Sequence, residues 1–218
     1  MTSSPKILLV DDDPFTLTML ASTLHTLGFT EITSLRTVTQ AIVAATKASP
    51  NVAILDLDLG EGPTGIDLAH RLRKLNPIIG VIILSTYTEP RLIGTNQRPL
   101  PENSIYIVKQ SISDTKVLLD AITNSVKSNF DPINAVSLPP STPISRIKDT
   151  QIEIMRLVAT GISNAQIAEM LVMKEASVEK AIARLIKQLD IKDTNRQNQR
   201  VLIAQEYYRL TRGANDSH

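Results

Sequence analysis

Apolar and polar positions along the first 128 residues keep two alternating rhythms. Short, mainly apolar runs at Lys6–Val10, Glu31–Leu35, Val52–Leu55, Ile79–Leu84 and Ser104–Val108 have the length and composition of strands. Between them lie amphipathic stretches. Pro14–Leu27 carries Phe15, Met19, Leu20, Leu24 and Leu27 near helical spacing, with Gly28 where a helix C-cap belongs. Val38–Ala48 ends at Ser49-Pro50, Gly65–Leu75 closes at Asn76-Pro77, and Asp114–Lys127 is the last helix of this half. Strand–helix alternation with nearly wholly apolar central strands predicts a parallel sheet covered on both faces.

The pattern changes after residue 128. Residues 129–145 hold Pro132, Pro139, Pro140 and Pro143, which rules out a continuous helix and predicts a semi-extended linker. Beyond it the periodicity is helical throughout: Asp149–Thr160 stopped by Gly161, Asn164–Leu171, Glu175–Leu189 and about Thr194–Leu210. Ser163-Asn-Ala-Gln166 is a capping box that starts the second of these helices. The chain therefore divides into an α/β domain at 1–128, a linker at 129–145 and a small all-α, four-helix domain at 146–218. Five strand–helix units fit the flavodoxin-like order 2-1-3-4-5, whose functional crevice lies at the C-terminal ends of the strands. One interval breaks the alternation. Between Tyr87 and Ser104 lie Pro90, Gly94, Pro99 and Pro101, so at most one or two helical turns fit, around Glu89–Ile93.

Composition narrows the chemistry. Cysteine is absent, which removes disulfides and thiolate metal sites, and the three histidines, His25, His70 and His218, are too far apart in sequence to suggest zinc. No apolar run has a membrane-spanning length and no leader pattern opens the chain, so a cytoplasmic protein without membrane contact is expected. Residues 1–128 hold 11 Lys/Arg against 12 Asp/Glu, and residues 129–218 hold 12 against 10. The slight basic excess falls where a nucleic-acid binder would need it.

The crevice rule directs attention to the residues just after each strand. Asp11, Asp12 and Asp13 follow the first strand, Asp56 the third, Ser85 and Thr86 the fourth and Lys109 the fifth. Clustered carboxylates repel unless a cation neutralises them, and hard oxygen donors suit Mg²⁺. A lysine and a hydroxyl beside such a cluster could hold phosphoryl oxygens while a carboxylate acts as nucleophile. Asp13 immediately precedes Pro14, so a helix N-cap with Pro at N1 is its plainer role.

Lys-Ile-Leu-Leu-Val-Asp11-Asp12-Asp13-Pro14, Ile-Leu-Asp56-Leu-Asp58, Ile-Ile-Leu-Ser85-Thr-Tyr87 and Tyr106-Ile-Val-Lys109 resemble, in order and spacing, the receiver domain of two-component response regulators. The resemblance implies that Asp56 is phosphorylated by a histidine kinase. It implies Mg²⁺ bound by Asp11, Asp12, Asp56 and the backbone carbonyl of Asp58, a switch pair of Ser85 and Tyr106, and Lys109 as the phosphate-binding lysine. Two departures stand out: a glycine-rich loop, Leu-Gly-Glu-Gly-Pro-Thr-Gly65, after Asp58, and the broken fourth-helix segment. Asp56-Leu-Asp58 is also similar to the first motif of haloacid-dehalogenase-type phosphatases. There, however, the second acidic motif comes later in the chain, whereas here the acidic pair comes first.

Thr150–Leu210 is similar to the helix-turn-helix of NarL/LuxR-type regulators through Gly161-Ile-Ser163-Asn-Ala-Gln-Ile-Ala168 and the helix Ser177–Leu189. Its small core is expected from Ile154, Leu157, Val158, Ile167, Ala168, Leu171, Val178, Ile182, Leu185 and Leu189. The resemblance implies a recognition helix in the DNA major groove, with Ser177, Lys180, Arg184 and Lys187 as candidate contacts. Glu179 and Ala181 stand where the family usually has cationic and histidine side chains, and Lys174 replaces a capping serine. A homodimer paired through the helix containing Val201, Leu202 and Tyr207 would join two half-sites. A protein-binding output is the alternative. Not an enzyme but a phosphorylation-switched transcriptional regulator is the expectation.

Overall fold

The computed structural model describes residues 4–94, 98–126, 143–191 and 198–212. The chain forms two compact units, one of residues 1–85 and 98–138, the other of residues 86–97 and 139–218. Most of the expected linker, residues 129–142, and the expected start of the last helix at Thr194 lie outside the described residues.

The first unit is a five-stranded parallel sheet of β1 (Ile7–Val10), β2 (Ile32–Leu35), β3 (Val52–Asp56), β4 (Gly80–Ser85) and β5 (Ser104–Val108), in the order β2-β1-β3-β4-β5. Strands β1, β3 and β4 are buried along their whole length, as both-face coverage requires. On one face Leu9, Ile54 and Ile107 pack against α1 (Pro14–Thr26) and α4 (Thr115–Val126). Helices α2 (Val38–Ala48) and α3 (Gly65–Leu75) cover the other face. Asp13 caps α1 by accepting from the amides of Phe15 and Thr16, and Pro14 fills the first turn, as its place in the sequence predicts.

The buried stripe of α1 differs from the expected one. Leu17, Leu20 and Leu24 face the sheet, whereas Phe15 is 73% exposed and Met19 projects to solvent as well. Positions 17, 20 and 24 follow the three- and four-residue steps of one helical face. Phe15 and Met19 are four apart and share a different face.

The second unit contains α5 (Asp149–Ala159), α6 (Asn164–Met170), α7 (Glu175–Gln188) and α8 (Gln199–Arg212), preceded by a 3-10 turn at Pro143–Arg146. The capping box at Ser163 and Gln166 is formed, and Lys174 makes no side-chain cap. Every expected core residue is buried except Leu171, which is half-buried. Ile144, Ile147, Ile152, Met155, Ile186, Leu202, Ile203 and Leu210 enlarge the core. Residues 86–94 also pack into this core, whereas a division at residue 128 assigns them to the sheet. The physical reason is Leu92. It sits in a 3-10 turn at Pro90–Leu92 and is buried among the helical unit's apolar side chains.

Between α6 and α7, Val172 adopts φ 52° while 92% exposed. A left-handed conformation costs an L-residue about 1–2 kcal/mol, which Asn partly recovers by local hydrogen bonding. Val172→Asn removes no buried contact and is expected to raise the stability of the helical unit by about 1 kcal/mol. A urea midpoint no higher than wild type's would refute this.

Candidate functional site

Strand register builds the acidic site. Val10 pairs with Leu55, so the next residues, Asp11 and Asp56, emerge level at the sheet's C-terminal edge. Asp56 is level with Leu84, and Ser85 with Val108, which puts the hydroxyl one step further out and Lys109 two. The structure thus brings together Asp11, Asp12, Asp56 and Lys109. Asp11 is 1% exposed, and its Oδ1 accepts from the Asp13 amide at 3.0 Å. The Lys109 ammonium lies 2.8 Å from Asp11 Oδ2 and 3.1 Å from Asp56 Oδ1. Carboxylate oxygens of Asp11, Asp12 and Asp56 lie within 4.8 Å of one another.

One ammonium faces three carboxylates. Burial pushes Asp56 up to about 7, and the neighbouring charge of Asp11 adds to the rise against the opposing pull of Lys109. Burial works to lower Lys109, but its bond to Asp11 and the charges of Asp56 and Asp11 outweigh it, so Lys109 is raised overall. An excess of negative charge and three hard oxygen donors fit a metal cation in this pocket.

Two features around the pocket are absent from the sequence-based reading. Arg36, just after β2, donates from Nε and Nη2 to the carbonyl of Asp12 at 3.0 and 2.9 Å. It clamps the backbone of the acidic loop from the neighbouring strand. The strand order alone puts residue 36 beside residue 12, and that was the available signal. Gly65 begins α3 against the backbone that carries Asp56. A Cβ there would stand 2.0 Å from the Asp56 carbonyl oxygen, so no larger residue fits.

The remaining expected site residues fall as follows. Ser85 is buried at the end of β4, and Tyr106 is buried in β5, level with Ile83. Asp58 is exposed, and its side chain accepts from the Gly60 amide at 3.2 Å. A Cβ on Gly60 would lie 3.6 Å from Asp12 Oδ2, so this loop passes close to the acidic cluster.

In the helical unit Ser177, Lys180, Arg184 and Lys187 are all exposed on α7. Their spacing of three, four and three residues places them on one face, opposite the buried Val178, Ile182 and Leu185. Glu179 is exposed one residue from that face. Arg200, which the sequence left without a role, bonds to Asn164 Oδ1 and the Ile162 carbonyl and ties α8 to the turn before α6. Leu202 and Tyr207 do not form an exposed pairing face. Leu202 is in the core and the Tyr207 hydroxyl donates to the Leu92 carbonyl at 3.2 Å. Val201 and Tyr208 are the exposed apolar residues of α8.

Residues 7–98 match the family described as response regulator receiver domain, and residues 148–198 the bacterial regulatory proteins of the luxR family. The chain is 25% identical over 202 residues to the nitrate/nitrite response regulator protein homolog of Haemophilus influenzae, with 88% of this chain and 93% of that one covered. It is 27% identical over 193 residues to the transcriptional regulatory protein DesR of Bacillus subtilis, covering 86% and 91%. Among solved structures it resembles the two-component response regulator RcsB in its DNA complex, with a TM-score of 0.56 at 19% identity. That match covers 94% of this chain and 98% of the other, and the likeness is one of fold.

Proposed function

Since the chain belongs to the response regulators, with a receiver domain and a LuxR-type DNA-binding domain, we propose that phosphorylation of Asp56 controls its binding to DNA. The observation that carries this reading is the half-buried Lys109 joining the buried Asp56 and Asp11 at the C-terminal edge of a parallel sheet. An Asp56 carboxylate oxygen attacks the phosphorus of a phosphohistidine on a histidine kinase. The nitrogen–phosphorus bond breaks as the aspartyl phosphate forms. Asp11, Asp12, Asp56 and the Asp58 carbonyl would hold Mg²⁺, which supplies charge neutralisation to this otherwise repulsive approach. Lys109 exchanges its carboxylate partner for phosphoryl oxygens, and the Ser85 hydroxyl donates to another. Tyr106 is the aromatic partner of that movement.

In the same reading α7 enters the major groove with Ser177, Lys180, Arg184 and Lys187 toward the duplex, and two copies pair through α8 at Val201 and Tyr208. A kinase donor and a genomic target place this work in the cytoplasm. Incubation with acetyl phosphate is expected to add one phosphoryl group per chain with Mg²⁺ and none with a chelator. Binding to fragments of the source genome should weaken steeply with salt. Removing Lys180, Arg184 or Lys187 should each lower the magnitude of the log–log salt slope by about 1. No retained DNA at low salt, even after phosphorylation, overturns the DNA-binding output in favour of a protein partner.

A further inference from the structure

Residues 86–94, the first part of the connection between β4 and β5, are built as part of the helical unit. Leu92 is 1% exposed in a cluster with Ile144, Ile147 and Met155, and Tyr87 packs against the same cluster. Polar contacts close around it. The Arg91 guanidinium donates to the carbonyl of Ile147 at 2.7 Å, to Asp149 Oδ1 at 2.9 Å and to the carbonyl of Ile144 at 3.1 Å. Glu89 pairs with the same guanidinium from within the segment. Tyr207 of α8 donates to the Leu92 carbonyl, and both the amide and the hydroxyl of Thr88 donate to the carbonyl of Leu210, at 3.3 and 3.2 Å. These contacts bind the entry to α5 and the C-terminal turn of α8 through one short stretch of chain.

That stretch begins immediately after Ser85, the buried hydroxyl at the end of β4. Only Thr86 separates Ser85 from Tyr87, so a displacement of the strand end has no slack in which to dissipate. The Thr88 bonds to Leu210 come first along the chain, so a displacement of the strand end reaches them before any other contact of the set.

We propose that residues 86–94 form a transmission strap, which carries a movement of Ser85 into the helical unit by unseating Thr88 from the end of α8. The proposal rests on Asp56 as the phosphoacceptor, and its contribution is the route by which that event reaches the output domain. The device needs two seatings of one segment whose balance phosphorylation shifts.

Hydrogen exchange on the full-length chain, with and without acetyl phosphate and Mg²⁺, tests it, alongside mass measurement of the label on Asp56. In labelled wild type the amides of Thr88 and of α8 near Leu210 are expected to exchange faster by the usual size of an allosteric coupling, about 5- to 150-fold. Arg91→Ala is expected to exchange fast at these amides before phosphorylation, take the label as fully as wild type, and lose the further response. Tyr207→Phe, which removes one hydroxyl, should shift the same amides part of the way and guards against failure of the first variant to fold. A chain that takes the label with unchanged exchange at these amides overturns the strap while leaving the phosphoacceptor standing. A chain that takes no label overturns both.

Discussion

The chain carrying Asp56→Asn is expected to take up no phosphoryl group from acetyl phosphate and yet to be more stable than wild type at pH 8. Both outcomes have one cause. Burial and the nearby Asp11 charge raise Asp56 to about 7 in the folded protein, against 3.8 for an ordinary aspartate. Between those values the folded state holds a proton that the unfolded chain has released. Stability therefore falls as pH rises from about 4 to about 7 and stays at the lower level above that.

At about 1.4 kcal/mol per pH unit across this window, the full effect is on the order of 2–4 kcal/mol, with the opposing pull of Lys109 already included in the raised value. Asparagine keeps the shape without the charge, and Lys109 keeps its partner Asp11 at 2.8 Å. Thermal melting of the metal-free protein from pH 4.5 to 8.5 checks this. The wild-type melting temperature should decline across that range and the variant's decline should be smaller, with the variant higher by several degrees at pH 8. A variant less stable than wild type at pH 8 would show that Lys109 outweighs burial and repulsion together. Added Mg²⁺ should narrow the difference, since a cation that binds the folded state stabilises wild type by mass action.

Gly65→Ala is expected to cost about 3 kcal/mol or more, a large loss for a single methyl group. The added Cβ would meet the Asp56 carbonyl oxygen at 2.0 Å, the Asp56 carbonyl carbon at 2.9 Å and the Leu57 Cα at 3.2 Å. All three are backbone atoms of the segment that carries Asp56, so neither side can yield by a rotamer change. Either α3 lifts from the sheet or Asp56 moves. The variant should melt well below wild type, and any folded fraction should label more slowly with acetyl phosphate. Gly94→Ala is the control, since a Cβ there meets nothing within 4 Å among the described residues, and it should leave melting and labelling unchanged. Equal melting of Gly65→Ala and wild type would mean that the start of α3 relaxes without cost.

The acidic pocket was legible because a parallel sheet converts strand ends into neighbours. Once apolar runs and their intervening helices set the order, Asp11, Asp56, Ser85 and Lys109 had to emerge along one edge. The capping roles of Asp13 and Ser163 were legible for a similar reason, as both are local backbone chemistry. The α7 face of Ser177, Lys180, Arg184 and Lys187 follows from helical spacing alone.

What the linear pattern left open is the choice of partner. Leu92, Leu202 and Tyr207 are apolar or amphipathic, but spacing cannot say which core each one joins. Leu92 leaves the sheet's chain neighbourhood for the helical core, and Leu202 and Tyr207 turn inward where a pairing face was expected. Phe15 and Met19 are the opposite case, exposed on α1 because Leu17, Leu20 and Leu24 already fill the face that meets the sheet. Arg36, Arg91 and Arg200 act on backbone carbonyls distant in sequence, and such contacts carry no motif. The sequence by itself determined the two folds and the residues at the sheet edge, because periodicity and strand order are local properties summed along the chain. Only the tertiary structure decided where residues 86–94 belong, because burial is a competition between surfaces that exist only after folding.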